Sequence, residues 1–119
     1  MSIAVKRVYV AASAEDGYRV LVDRLWPRGM SKEEARLDEW LKDVAPSHEL
    51  RRWFHQNPAL QDEFRQRYLA ELREHGEELG RLVRMAQTRK VTLLYSSKNE
   101  AFNNATVLKE ELERLAAEM

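Results

Sequence analysis

The residue types that could do chemistry in this sequence are concentrated in two short stretches, residues 23–29 and residues 96–104. In the first stretch, Arg24 and Arg28 each offer a planar fork of donors that pairs bidentately with phosphate or carboxylate oxygens. Asp23 is the one candidate there for acid–base chemistry, although no partner base or nucleophile accompanies it. The alternative is structural, with Arg24 paired to Asp23 or a helix acid and Arg28 directed into water.

The second stretch places polar residues between a predicted strand and a predicted helix. Ser96, Ser97 and Lys98 lie where free backbone amides and the helix dipole favour an anion. Ser97 and Glu100 also have the spacing of a capping box, which would satisfy the same amides within the chain. The glycine-rich run of a phosphate-binding loop is absent. Anion binding and structural capping both remain open here.

Two asparagines follow at the start of the predicted last helix. The side-chain amides of Asn103 and Asn104 would either contact a polar ligand or tie the two stretches together by bonding backbone groups. The predicted ligand-binding residues are Arg24, Arg28, Ser96, Lys98, Asn103 and Asn104. No cofactor is predicted.

The histidines and the lack of cysteine argue against metal and thiol chemistry. His48, His55 and His75 lie on separate predicted helical segments without HExxH-like spacing, so no metal site is predicted. The absence of cysteine excludes thiol catalysis, thiolate metal sites and disulfides.

Length and composition narrow the class of protein. A chain of 119 residues predicts one domain with one core. Lys and Arg total 20 and Asp and Glu total 20, so the basic excess typical of bulk nucleic-acid binders is missing. No apolar run approaches the ~20 residues of a membrane span, and the start has no signal-peptide core. We therefore expect a cytoplasmic protein without a membrane partner; its oligomeric state stays open.

Three stretches have the apolar, β-branched character of strands: residues 3–10, residues 20–22 and residues 91–95. The connector between the first two is about seven residues long, shorter than the dozen or more that a parallel crossover needs, so these strands are predicted to be antiparallel neighbours. The second and third strands are predicted to run parallel across a helical crossover.

The helices are predicted from caps and apolar spacing. Ser31 begins an amphipathic helix that continues to Val44, and Ser47 caps a short successor. Asn57 and the proline after it begin a third helix, for which Gly76 marks an end or a kink. A further helical stripe precedes residues 91–95, and a last helix starts at residue 101.

This order of elements predicts a small α/β domain. In such sheets, ligands gather beyond the carboxyl ends of the strands, which would bring residues 23–29 close to residues 96–104. The sequence thus predicts a polar crevice built from two stretches that are distant in the chain.

Three motifs carry a resemblance to a known family: RVLVDRLWPRG at residues 19–29, APS followed by ELRRWF at residues 45–54, and LLYSSKNEAFNNATVLKEEL at residues 93–112. With them the chain resembles, nearly end to end, the YeaO-like branch of the domain-of-unknown-function family 488, whose activity is not established. The resemblance implies a Rossmann-like α/β fold. The predicted fold is therefore a small Rossmann-like three-layer domain with a short mixed sheet of about three strands and about five helices.

The wider family has a strand resembling LVDVR and a later LLCxEK segment followed by CHR. Here Tyr95 and Ser97 stand where that pattern has Cys and Glu, and residues 103–105 read Asn-Asn-Ala where it has Cys-His-Arg. The resemblance therefore implies no thiol, metal or histidine chemistry for this chain. It is consistent with a branch that kept a pocket while losing or replacing a reaction.

Three functions are compatible with these observations. The leading hypothesis is a binding domain that holds an anionic small molecule, a nucleotide or a phosphorylated metabolite, at the carboxyl edge of the sheet. The second is a hydrolase or transferase for a nucleotide-like substrate, with Asp23 as acid or base. The third is a protein or nucleic-acid interaction module that uses the exposed residues Arg51, Arg52, Arg65 and Arg67.

Overall fold

The computed structural model describes residues 1–119 and contains one four-stranded sheet. The strands are β1 (Ile3–Arg7), β2 (Tyr18–Leu21), β3 (Glu39–Trp40) and β4 (Val91–Tyr95). Their order is β1-β4-β2-β3, and every neighbouring pair is parallel. The helices are α1 (Lys32–Ala35), α2 (His48–Gln56), α3 (Gln61–Leu72), α4 (Gly76–Thr88) and α5 (Asn104–Glu118). The α/β class is confirmed, but the sheet has four strands rather than about three and is parallel rather than mixed. Because α1 is a single turn, there are four longer helices rather than about five.

The predicted antiparallel pairing of the first two strands is wrong, because β4 lies between β1 and β2. The connector crosses β4 in a short path that includes the 3-10 turn Ala14–Asp16, and Thr92 Oγ1 donates to the Asp16 carbonyl at 2.6 Å. A compact turn anchored on the sheet takes the place of a crossover helix. The parallel arrangement of β2 and β4 across a helical segment is confirmed.

Strand β4 forms the centre of the sheet. All five of its residues are buried, and β1 and β2 pair with its two edges. A continuous apolar run is typical of a parallel strand that is covered on both faces. The carboxyl ends of β1, β2 and β4 therefore point to the same edge of the sheet.

The two faces of the sheet are covered differently. One face packs against the long helices, in a core of 19 buried residues that includes Val20, Leu93 and Leu108. The opposite face carries a small cluster of Val8, Leu21 and Leu94. Partly buried residues from the β2–β3 connection and from β3 pack on that cluster, among them two tryptophans. The long helices thus cover one face, and short connecting segments cover the other.

The helix predicted from Ser31 to Val44 is wrong beyond its first turn. Ser31 does form the predicted capping box with Glu34, but α1 has only four residues. Leu41 and Trp40 then pack on opposite faces of the sheet, as consecutive residues of a strand do. The spacing that suggested a helix belongs instead to β3 and the 3-10 turn after it.

The end of α1 has a specific cause. Arg36 adopts a left-handed conformation with φ 46°. The Arg19 guanidinium donates hydrogen bonds to the carbonyls that are left exposed at this helix end. Arg19 Nη2 donates to the Ala35 carbonyl at 2.7 Å, and Arg19 Nε donates to the Arg36 carbonyl at 3.1 Å. A buried side chain from β2 therefore replaces the next helical turn as the partner of these carbonyls.

The remaining helix boundaries agree in part with the caps. Ser47 caps α2 as predicted, with its Oγ accepting from the Leu50 amide at 3.1 Å. The predicted start at Asn57 is wrong, because α3 begins at Gln61 and the Asn57 side chain donates to the last turn of α2. Gly76 begins α4 after a 3-10 turn. No helix is both long and apolar enough to traverse a lipid bilayer.

Candidate functional site

The two polar stretches contact each other at the carboxyl edge of the sheet. Asp23 follows β2, and its Oδ2 accepts from the Ser96 amide at 2.9 Å and from the Ser96 hydroxyl at 2.6 Å. Asn104 Nδ2 donates to Asp23 Oδ1 at 3.1 Å and to the Val22 carbonyl at 3.0 Å. We call Asp23, Ser96 and Asn104 the Asp23 clamp. The clamp joins the ends of β2 and β4 to the first turn of α5.

The clamp uses most of the hydrogen-bonding capacity of its members. The Asp23 carboxylate accepts from three donors, all of them uncharged, and its backbone carbonyl accepts from Trp40 Nε1 at 2.8 Å. A general base needs a free lone pair directed at a substrate proton. This arrangement therefore fastens two strands and a helix, and it leaves little of Asp23 for proton transfer.

Arg24 is directed away from the clamp. Its Nε donates to the Pro46 carbonyl at 3.1 Å and its Nη2 to the Ala45 carbonyl at 3.2 Å. The side chain is half-buried and has no acidic partner. It holds in place the segment that leads into α2. Arg24 and the APS motif therefore have a structural role.

Asn103 is the N-cap of α5, and the predicted capping box of Ser97 and Glu100 is wrong. The buried Asn103 side chain accepts from the Thr106 amide at 3.0 Å, and Thr106 Oγ1 accepts from the Asn103 amide at 3.0 Å. Ser97 Oγ instead accepts from the Asn99 amide at 3.2 Å within the preceding turn. The Asn103 side chain therefore caps the start of α5.

Several cations lie on the segments that meet at Tyr9, beside the clamp. Arg28 and Lys98 are exposed, and neither side chain makes a hydrogen bond or an ion pair. Tyr9 Oη donates to the Arg28 carbonyl at 2.8 Å, and the Arg7 guanidinium lies 4.7 Å from the Tyr9 ring centroid. Arg7 Nε donates to the carbonyl of Ser97, the residue before Lys98, at 3.0 Å. We call Arg7, Tyr9, Arg28 and Lys98 the Tyr9 edge.

Arg7 and Tyr9 were not among the site residues predicted from the sequence. Because β1 is parallel to β4, its carboxyl end reaches the same edge of the sheet. The carboxyl-edge rule would have identified Arg7 and Tyr9 had the orientation of β1 been predicted correctly.

The main surface hollows do not lie over the Asp23 clamp. One, of about 630 Å³, runs along α4 and is lined by Arg81, Arg84 and three neighbouring residues. The other, of about 460 Å³, is lined by the segment from Val8 to Ala12 together with Met30, Glu33, Glu34 and Arg36. Tyr9 is part of that lining, so the Tyr9 edge borders a hollow. No group of three or more His, Asp or Glu side chains is arranged to hold a metal ion.

A second carboxylate, Asp16, lies at the opposite end of β2 and holds two cations. Asp16 Oδ2 lies 3.0 Å from Lys6 Nζ and 2.5 Å from Arg19 Nη1. Burial would raise the pKa of Asp16, but hydrogen bonds from Lys6, the Ser13 amide and Arg19 outweigh it, so the pKa lies below its usual value. This network was not predicted from the sequence.

The four arginines considered for an interaction surface are placed on the helical side. Arg65 pairs with Glu110 at 2.7 Å, and Arg67 pairs with Glu63 and stacks on the Trp53 ring. Arg51 and Arg52, on α2, are exposed and have no hydrogen-bond or ion-pair partner. The set is therefore partly neutralised by its own neighbours.

Comparison with known sequences identifies relatives over almost the whole chain. The protein "Uncharacterized protein YeaO" of Escherichia coli K12 is 50% identical over 115 residues, which cover 97% of this chain and all of the relative. "Uncharacterized protein Rv3073c" of Mycobacterium tuberculosis H37Rv is 42% identical over 106 residues, 89% of each chain. A protein of Mycobacterium bovis, "Uncharacterized protein Mb3100c", matches to the same extent. No solved structure matches, so the Rossmann-like relationship stays a prediction.

The family comparison agrees with these relatives and with the motifs of the sequence. The sequence profile of DUF488-N3i, described as the inactive DUF488-N3 subclade, matches residues 2–119. The resemblance to the YeaO-like branch is confirmed. The chain belongs to the DUF488-N3i family.

Proposed function

We propose that this protein is a non-catalytic domain that binds an anionic small molecule, a nucleotide or a phosphorylated metabolite, at the Tyr9 edge. One observation carries the proposal: Arg28 and Lys98 are exposed at the carboxyl edge of the sheet without any protein partner. The neighbouring carboxylate of Asp23 accepts only from uncharged donors and neutralises neither of them. Positive charge is therefore left for a ligand.

The residue types of the Tyr9 edge suit a phosphate group. The Arg28 guanidinium can bind two oxygens in a fork, while the ammonium group of Lys98 supplies a mobile point charge. Arg7 is held between the Ser97 carbonyl and the Tyr9 ring, so it needs little further ordering to contact an oxyanion. Tyr9 is 39% exposed and offers an aromatic surface at the border of the 460 Å³ hollow.

Two observations favour binding over catalysis. Asp23, the residue considered as acid or base, already accepts three hydrogen bonds from Ser96 and Asn104, which leaves little of its carboxylate to accept a substrate proton. The family description also calls the subclade inactive. A hydrolase or transferase would need a reacting group that the Asp23 clamp does not offer in this arrangement.

The proposal is tested by thermal shift across nucleotides and phosphorylated metabolites, with calorimetry on each ligand that stabilises the fold. A ligand present at a hundred times its Kd raises the melting temperature of a domain of this size by roughly 10 °C. We expect that shift for the wild type and its loss in the double variant Arg28→Ala, Lys98→Ala. The control is Arg51→Ala, Arg52→Ala, which removes the same charge from two exposed arginines on α2 and should keep the shift.

Two results would contradict the proposal. If no phosphorylated ligand stabilises the wild type more than the Arg28→Ala, Lys98→Ala double variant, the Tyr9 edge is not the binding site. If the wild type converts a bound ligand to product and Asp23→Asn binds the ligand without converting it, the protein is an enzyme and the hydrolase or transferase hypothesis is correct.

A further inference from the structure

Strand β1 is an edge strand with a free row of backbone groups. It pairs only with β4, and the hydrogen bonds at its ends show which residues point inward. The Ser2 carbonyl accepts from the Val91 amide, and the Val8 amide donates to the Tyr95 carbonyl. Because the direction alternates along a strand, Ala4 and Lys6 also face β4, whereas Ile3, Val5 and Arg7 face outward. Of the outward groups, only the Arg7 carbonyl has a partner, the Val10 amide.

The usual protection of an edge strand is weak here. An exposed lysine on an edge strand discourages pairing with another chain, because its charge stays in water. Lys6 is instead folded inward, where its Nζ lies 3.0 Å from Asp16 and 2.8 Å from the Ala11 carbonyl. The strand contains no proline, and its five residues are all partly exposed. The other edge of the sheet, β3, is only two residues long.

The sequence around β1 is complementary to itself in one antiparallel register. If two copies of β1 meet with Val5 opposite Val5, then Ile3 of each copy lies opposite Arg7 of the other, and Ala4 lies opposite Lys6. No two like charges face each other in this register, whereas like charges directly opposite would destabilise the pair. The free Val5 groups bond reciprocally, and the Arg7 amide donates to the free Ile3 carbonyl of the second copy.

The exposed apolar side chains next to β1 fit the same register. Met1 is 50% exposed and Tyr9 is 39% exposed, and they flank β1 at its two ends. In the register centred on Val5, Met1 of one copy extends past Arg7 of the other, toward the turn that carries Tyr9. The net charge of the chain is zero, which removes long-range repulsion between identical copies.

We propose that a second copy of this chain binds along β1, so that two four-stranded sheets join into one continuous sheet about a two-fold axis at Val5. The occupant is a second copy because the same sequence, read in the opposite direction, offers the free backbone groups of β1 their partners and places no like charges opposite each other. The interface is isologous, as in most homodimers.

The first test removes an outward hydrogen bond without touching the pairing with β4. Val5→Pro deletes the outward amide, and proline is tolerated on the open side of an edge strand. Val5→Ala is the matched control, because it removes the side-chain packing of Val5 but keeps the amide. Sedimentation equilibrium and light scattering should give a dimer for the wild type and Val5→Ala, and a monomer for Val5→Pro, with folding of each variant checked by circular dichroism.

The second test reads the register through charge. Ile3→Glu, Ile3→Gln and Ile3→Arg lose the same apolar side chain but place a negative, neutral or positive group opposite Arg7 of the second copy. The dimer should be tightest for Ile3→Glu and weakest for Ile3→Arg, with dissociation constants that differ by about tenfold between these two. This series decides the matter if Val5→Pro does not fold.

Three outcomes would overturn the proposal. One is a wild type that stays monomeric up to about 1 mM, the weak limit of specific association. Another is a folded Val5→Pro variant that dimerises as well as Val5→Ala does. The third is a dimer with equal affinity across the three Ile3 variants. Anion binding is tested separately by the Arg28 and Lys98 variants, because neither residue lies on β1.

Discussion

The two carboxylates at the ends of β2, Asp16 and Asp23, are both fully engaged, but by different partners. Asp16 precedes the strand, is 6% exposed, and is held by the cations Lys6 and Arg19. Asp23 follows the strand, is half-buried, and accepts only from Ser96 and Asn104. One end of the strand therefore contains a buried ion network, and the other contains a neutral hydrogen-bonded clamp.

The difference shows that charged side chains stabilise the fold at one end of β2 and stay unpaired at the other. Arg19 is 4% exposed, and a guanidinium at that depth needs an opposite charge to offset its lost hydration. At the carboxyl end, Asp23 is near enough to water to be satisfied by neutral donors, so it recruits no cation. Arg28 and Lys98 consequently remain unpaired on the side where parallel sheets bind ligands.

The largest effect is expected from Asp16→Asn. The change leaves Arg19 buried without its counter-charge, so the free energy of unfolding should fall by about 3 kcal/mol or more. Urea unfolding followed by circular dichroism measures the loss. The exposed pair of Glu63 and Arg67 provides the control, since Glu63→Gln should cost under about 1 kcal/mol.

A double variant sharpens the interpretation. Asp16→Asn combined with Arg19→Met removes both partners of the ion pair, so the double variant should be less destabilised than the sum of the two single changes. If the single Asp16→Asn variant is as stable as Glu63→Gln, then Asp16 does not compensate Arg19, and the contrast between the two ends of β2 fails.

A smaller effect is expected at the other end of the strand. Asp23→Ala leaves the Ser96 amide and hydroxyl without an acceptor and removes one of the two acceptors of the Asn104 side chain, which should lower the free energy of unfolding by about 2 kcal/mol. A double-mutant cycle with Ser96→Ala measures the coupling between the two residues through urea unfolding. A coupling near zero would mean that the Asp23 clamp does not join the strands energetically.

Much of this architecture could be predicted from apolar runs and turns. The strands at β2 and β4, their parallel pairing, and the meeting of the two polar stretches followed from hydrophobic pattern and the carboxyl-edge rule. The hydrogen-bond partners between the two stretches could not be predicted, because Asp23 and Ser96 are 73 residues apart in the chain. The sequence also could not reveal that the Arg24 guanidinium would donate its hydrogen bonds to the carbonyls of Ala45 and Pro46.

The wrong predictions have a common physical origin: tertiary contacts override the structure that the local sequence pattern favours. Leu37, Trp40 and Leu41 have spacing that suits a helix, yet Trp40 and Leu41 bury on opposite faces of the sheet. The Arg19 side chain, which bonds the carbonyls at the end of α1, comes from β2. Likewise, a connector too short for a helical crossover still joins parallel strands, because Asp16 fixes a 3-10 turn against the sheet.

Acid unfolding tests the contribution of the Asp16 carboxylate to stability. A carboxyl group whose pKa is lower in the folded than in the unfolded chain stabilises the fold above the unfolded pKa, and this contribution is lost as the pH falls through the folded pKa. The pKa of Asp16 is lowered in this way because hydrogen bonds from Lys6, Ser13 and Arg19 outweigh the opposing effect of burial.

We therefore expect the stability gap between the wild type and Asp16→Asn to narrow below about pH 4, by up to about 1.4 kcal/mol per pH unit. Urea unfolding of both proteins between about pH 6 and pH 2.5 measures this difference, and subtracting the variant removes the contributions of other carboxylates. A gap that stays constant across this range would show that Asp16 titrates alike in the folded and unfolded chains.

The smallest effect on stability is expected from Arg28→Ala and Lys98→Ala. Both side chains are exposed and make no hydrogen bond or ion pair, so each change should alter the free energy of unfolding by no more than about 0.5 kcal/mol. Arg24→Ala is the informative contrast, because it deletes the donors to Ala45 and Pro46 and should cost more than either. Should Arg28→Ala or Lys98→Ala destabilise the fold as much as Arg24→Ala, these cations would serve the structure, and no charge would be left over for a ligand at the carboxyl end.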